Sequence, residues 1–121
     1  MTMKRDYKKF PKDDNGEVLW KFRCEGDTLE EPREIDFSVI FPSEETALEF
    51  AVTCLRSAFK VEFDEAEEKH EDGLNWEVTV YTHAIPTHPD ITALEEGFGR
   101  QAAPLGGRSS GWSAIFVSPA S

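Results

Sequence analysis

The sequence is poor in the residues from which reactive centres are built. It has two cysteines, Cys24 and Cys54, three histidines, and neither a CxxC nor an HExxH motif. Zinc sites announce themselves by such short-range pairs, so a metal centre would have to be assembled by folding alone, and none is expected. In a cytosolic chain two scattered cysteines serve more often as small buried hydrophobes than as a bridge. No run approaches the ~20 apolar residues of a membrane span, and the basic start MTMKRDYKKF is not followed by the apolar segment of a secretory signal. The expectation is a cytoplasmic protein with no membrane partner.

Positive charge is also scarce: 13 Lys and Arg stand against 24 Asp and Glu, a formal net charge of −11. The imbalance is uneven, because Lys4, Arg5, Lys8, Lys9 and Lys12 face only Asp6 in the first dozen residues. The remainder of the chain is therefore even more acidic than the total suggests. Such a body repels phosphate backbones, which argues against direct binding to nucleic acid, and it steers a basic protein surface toward itself.

What is present is a legible series of elements in a chain of 121 residues, long enough for one self-sufficient domain. Residues 1–16 read as a basic arm ending in the turn-forming run Asp13, Asp14, Asn15, Gly16, and residues 17–121 as a single domain. From Val18 to Cys24, Val18, Trp20, Phe22 and Cys24 alternate with Leu19, Lys21 and Arg23, which predicts a strand. A polar loop over 26–33 leads to a second strand marked by Ile35, Phe37, Val39 and Phe41. Pro42 ends it, and Ser43 followed by Glu44 and Glu45 predicts a capped helix start. Leu48, Ala51, Val52, Leu55 and Phe59 make the stripe expected to face the sheet, with Glu45, Glu49 and Arg56 toward water and Cys54 near the stripe's edge.

Val61 and Phe63 mark a third strand, and Trp76, Val78 and Val80 a fourth that Pro86 stops. Between them DEAEEKHEDG carries six acids, Asp64, Glu65, Glu67, Glu68, Glu71 and Asp72, against one lysine. This is either a binding patch or a solvated hairpin connection that discourages edge pairing. Thr87 is a candidate cap for a second helix with Pro89 in its first turn and a stripe of Ile91, Leu94, Phe98, Ala102 and Leu105. Gly97 and Gly99 weaken that helix unless they serve a close approach to the sheet. Trp112, Ala114 and Phe116 mark a last strand.

Without the first strand, the order is βαββαβ, which predicts a ferredoxin-like α/β (α+β) sandwich. Its antiparallel sheet would carry two helices on one face, with an extra N-terminal strand added. Glycine-rich "GGRSSGWSAIF" at 106–116 matches neither GxxxxGK[ST] nor GxGxxG, and its place after a helix is the wrong polarity for a phosphate cradle. Gly106 and Gly107 fit a helix C-terminus instead. Ser109 and Ser110 lack a GxSxG context and an evident base, so no catalytic residue is nominated and the chain is read as a non-enzyme without cofactor.

The runs PREIDFSVIFPSEETALEFA and ITALEEGFGRQAAPLGGRSSGW resemble the bacterial family of ribonuclease E inhibitors known as regulator of ribonuclease activity B, over roughly residues 33–116. The resemblance implies a cytoplasmic, acidic, ferredoxin-like protein that binds ribonuclease E and reduces its cleavage of RNA without being an enzyme. Three features depart from the family pattern. Ser109 and Ser110 stand where a tyrosine and an aspartate are typical. A basic arm replaces the acidic N-terminal helix of the best-known members, whose long acidic C-terminal tail has no counterpart before Ser121.

The partner expected from the resemblance is ribonuclease E, met through a basic surface. The contact residues expected from charge are Asp64, Glu65, Glu67, Glu68, Glu71 and Asp72 with the acids of the first long helix. Trp112 is either a core anchor of the last strand or an exposed interface anchor. Two other readings remain: a small-ligand domain or enzyme over the open sheet face using Tyr81 and the histidines, and a homodimer formed sheet to sheet. The oligomeric state is left open.

Overall fold

Alternating apolar residues become strands and capped amphipathic runs become helices in a computed structural model that describes residues 4–66 and 72–117. In chain order the elements are α1 (Asp14–Cys24), β1 (Arg33–Phe41), α2 (Glu44–Arg56), β2 (Lys60–Glu65), β3 (Trp76–Ala84), α3 (His88–Ala102), a 3-10 turn (Ala103–Leu105) and β4 (Arg108–Ala114). The strands form one antiparallel sheet in the order β2-β3-β1-β4. From β1 onward this is the expected βαββαβ sandwich. Phe37 pairs with Val80 and Val39 with Val78, and all four are buried on the helix-covered face. Phe98 of α3 meets Phe37, Phe50 and Phe59 at 5.4–6.3 Å between ring centres, so one aromatic group joins both helices to the sheet.

The extra N-terminal strand does not form; residues 14–24 are helix α1. Asp13 caps it by accepting from the Gly16 amide at 2.7 Å, Asp14 and Glu17 occupy the positive first turn, and Lys21 and Arg23 the negative last turn. The buried positions are Gly16 and Leu19, three apart, whereas Val18 and Cys24 of the alternating set are exposed. The run read as a turn, Asp13 to Gly16, is thus the cap and first turn of a helix. The preceding segment is seated on α1: Arg5 donates to the carbonyls of Phe10 and Pro11 and pairs with Glu17 at 3.0 Å, and Phe10 stacks at a tilt on Trp20.

The capped starts of α2 and α3 are as expected, with Ser43 accepting from the Thr46 amide and Thr87 from the Asp90 amide. The face that α2 turns to the sheet differs. Ala47, Phe50, Ala51 and Cys54 are buried, while Leu48, Val52 and Leu55 of the expected stripe are exposed. Helix α3 buries Ile91, Phe98 and Ala102 as expected, but Gly97 and Gly99 make no close approach, since a Cβ at either would meet nothing nearer than 3.9 Å. The approach occurs at Gly107, where a Cβ would lie 2.6 Å from the Phe41 ring, one residue after Gly106 ends the turn at φ +78°.

Arg108 to Gly111 are not a loop before the last strand but its first half. β4 is bulged there: Ser38 faces Gly111, Val39 faces Ser109, and Ser110 is the extra residue beside Gly111 at φ +113°. Beyond β4 the chain is held by a buried ion pair. Asp27 accepts from both terminal nitrogens of Arg33 and from the amides of Leu29 and Val117, and Arg33 donates to the Ile115 carbonyl. Burial opposes ionisation of Asp27, yet the bonds from Arg33, Val117 and Leu29 outweigh it and hold the carboxyl down at about 2.

Candidate partner-binding surface

Helix α2 lies over β2, an edge strand, and β3. Its Phe50 turns inward to Phe41 and across to Phe98 of α3. On a 100° per residue helix, Leu48, Val52 and Leu55 project from the side roughly opposite Phe50. They are 44%, 41% and 55% exposed, a contiguous aliphatic stripe with spacing i, i+4, i+7. Glu45 and Glu49 border it, both exposed. Interfaces commonly have this anatomy, an apolar centre within a charged rim.

The register of β2 against β3 puts Glu62 opposite Thr79 and Asp64 opposite Glu77 on the face of the sheet away from the helices. Glu34 and Asp36 of β1 share that face, paired with His83 and Tyr81. The result is five carboxylates on one open surface: Glu34, Asp36, Glu62, Asp64 and Glu77. Many of its polar groups already bond one another. Ser38 donates to Glu77, Ser113 to Asp36 at 2.8 Å, and Lys60 reaches Glu34 at 3.9 Å and sits 4.5 Å over the Tyr81 ring. The bond to Glu62, helped by the neighbouring negative charge, pushes the Tyr81 phenol up to about 12, so it stays neutral at physiological pH and is a poor base or nucleophile.

Of the sequence-expected contacts, Asp64 and Glu65 stand exposed at the end of β2, Asp64 on the open face. Asp72 pairs with Arg108 of β4 at 2.9 Å, and this bond is the main reason its pKa is lowered. Glu67, Glu68 and Glu71 lie outside the described residues. Trp112 is half-buried on the helix side of β4 beside Phe37, and its indole N–H donates to Asn15 of α1 at 2.8 Å. The ring thus ties the last strand to α1, with its donor already used.

Of the histidines expected beside Tyr81, His83 shares the open face with it, His88 bonds Asp13 near the start of α3, and His70 lies outside the described residues. Among the described residues no three His, Cys, Asp or Glu side chains are placed to hold a metal ion, and no helix is long and apolar enough to cross a membrane. Both cysteines are free, Cys54 buried and Cys24 exposed. Sequence periodicity missed the α2 stripe as a surface because α2 has two adjacent apolar arcs. The signal was their combined width, more than one sheet-facing side can bury.

Fold and surface together define a class: a small α+β sandwich with an acidic open sheet face and an aliphatic stripe on one helix. Within it, the family model for regulator of ribonuclease activity B matches residues 12–114, and the chain belongs to that family. The match takes in α1 as well as the sandwich, a wider span than the sequence runs that first suggested it. A search of curated proteins finds no match.

Proposed function

We propose that this protein is a non-enzymatic regulator that binds ribonuclease E in the cytoplasm and lowers its cleavage of RNA. The family supplies the class of target, since its description is a regulator of ribonuclease activity. The observation that carries the binding mode is the exposed stripe Leu48, Val52 and Leu55 bordered by the exposed Glu45 and Glu49. A basic segment with apolar side chains matches it: the aliphatic contacts supply desolvation, and the carboxylates supply orientation and encounter rate. Asp64, Glu65, Glu67, Glu68, Glu71 and Asp72 extend the acidic rim in this reading.

The test is cleavage of a defined RNA by purified ribonuclease E from the same organism, with and without the protein, alongside binding to the full-length nuclease and to its non-catalytic half. Dose-dependent inhibition with saturable binding is the expected result. The absence of both inhibition and binding would overturn the proposal.

A further inference from the structure

One concave feature of the molecule is lined by none of the residues assigned to the α2 stripe or the acidic sheet face. A cavity of about 600 Å³ lies between the N-terminal segment, α1, the 28–30 loop and the connection from β3 to α3. Its walls are apolar: Phe10, Leu19, Leu29, Ile85, Pro86 and Pro89. Its size falls in the range of about 300–1,000 Å³ typical of small-molecule sites. Lys8, Lys9 and Arg23 line it as well, against a single acid, Glu30. Among the described residues no carboxylate lies within ion-pair distance of these three cations, as is also the case for Lys4, Lys12, Lys21, Arg56 and Arg100. What sets Lys8, Lys9 and Arg23 apart is that they gather around one apolar cavity in a chain of net charge −11.

The wall is also held in place. Leu29 is buried at φ +60°, a conformation that non-glycine residues seldom adopt, and its amide is fixed by the buried Asp27 carboxylate at 2.9 Å. Opposite it, His88 is bonded to Asp13, the cap of α1. The lining thus comes from parts of the chain locked by separate polar contacts, which is the preformed character expected of a ligand site.

We propose that this cavity binds a small amphipathic anion, an apolar chain or ring ending in a carboxylate. The apolar body lies against Phe10, Leu29 and Ile85, and the carboxylate sits at the rim among Lys8, Lys9 and Arg23. Apolar burial provides affinity, and the charge-assisted contacts select the acid over a neutral molecule of the same length.

The experiment is titration of the isotopically labelled full chain with sodium decanoate below its micelle concentration, followed by amide NMR, with decanol as the uncharged arm. Saturable one-to-one shifts centred on Phe10, Leu29 and Ile85 are expected, with decanol binding at least tenfold more weakly. The exposed pair Lys8→Glu and Lys9→Glu, and separately Ile85→Asp, should each weaken decanoate at least tenfold while leaving the remaining spectrum unchanged. No saturable shift, shifts centred on the α2 flank, equal binding of decanol, or undiminished affinity in both variants would overturn the proposal.

Discussion

At the residue scale the buried pair of Asp27 and Arg33 joins the loop before β1 to the chain after β4. Its groups are all satisfied, so removing one partner leaves an uncompensated charge, and Asp27→Ala should cost about 3–5 kcal/mol in urea unfolding at pH 7. The folded-state pKa of about 2 lies below the 3.8 of an unperturbed aspartate. The stabilisation is therefore complete above pH 4 and lost as pH falls toward 2, about 2 kcal/mol in all. Asp27→Asn should remove that share of the acid sensitivity, and unfolding curves at pH 6, 4 and 2.5 check it. The cysteines give a simpler contrast. Burial raises the Cys54 thiol to about 11, whereas Cys24 is exposed. Iodoacetamide should modify Cys24 alone in the native protein and both residues in urea, as read by peptide mass spectrometry.

Among the elements, β1, β2, β3 and the second half of β4 were legible because alternation in the sequence coincides with alternation of burial, as Ile35, Phe37, Val39 and Phe41 show, whereas the glycine- and serine-rich first half of β4, which carries a bulge, was not. Helix α1 was not, because Val18, Trp20, Phe22 and Cys24 alternate by composition while the residues that reach the core, Gly16 and Leu19, follow the helical period. Asp13, read as a turn former, was its cap. Gly16 carries a test of how the preceding segment is seated. Glycine to alanine inside a helix ordinarily stabilises by up to ~1 kcal/mol, but a Cβ at Gly16 would fall 1.8 Å from the Pro11 carbonyl oxygen. Gly16→Ala should therefore destabilise the fold and loosen the bonds from Arg5 to Phe10 and Pro11, which amide exchange would report.

Helix α2 shows the opposite failure. Its period was plain, but two apolar arcs competed for the sheet, and Phe50, with the volume to fill the space between Phe41 and Phe98, took the inner one. The displaced stripe is the part of the candidate site that composition could not place. Leu48→Ser together with Leu55→Ser should change stability by less than about 1 kcal/mol, since both residues are exposed, while weakening binding to ribonuclease E at least tenfold. Denaturation and titration on the same samples separate the two effects.

For the whole molecule, charge is sorted by face. The acids of the open sheet and α2 flank lie apart from the cations that line the apolar cavity beside the N-terminal segment. That segregation was only half legible: the sequence places the bases in the first dozen residues and the densest acids between β2 and β3, but strand register alone brings Glu34, Asp36, Glu62, Asp64 and Glu77 together. A surface of this kind acts at a distance, over about one Debye length, ~8 Å at physiological salt. Its main effect on a basic partner is on the association rate. Neutralising Asp64, Glu65, Glu67, Glu68, Glu71 and Asp72 to amides should slow association with ribonuclease E roughly tenfold and flatten its salt dependence. Dissociation, governed by the aliphatic stripe, should change little. Stopped-flow or surface-resonance kinetics at two salt concentrations read both rates. Unchanged association would remove the acidic rim from the binding mode and leave the α2 stripe to account for recognition.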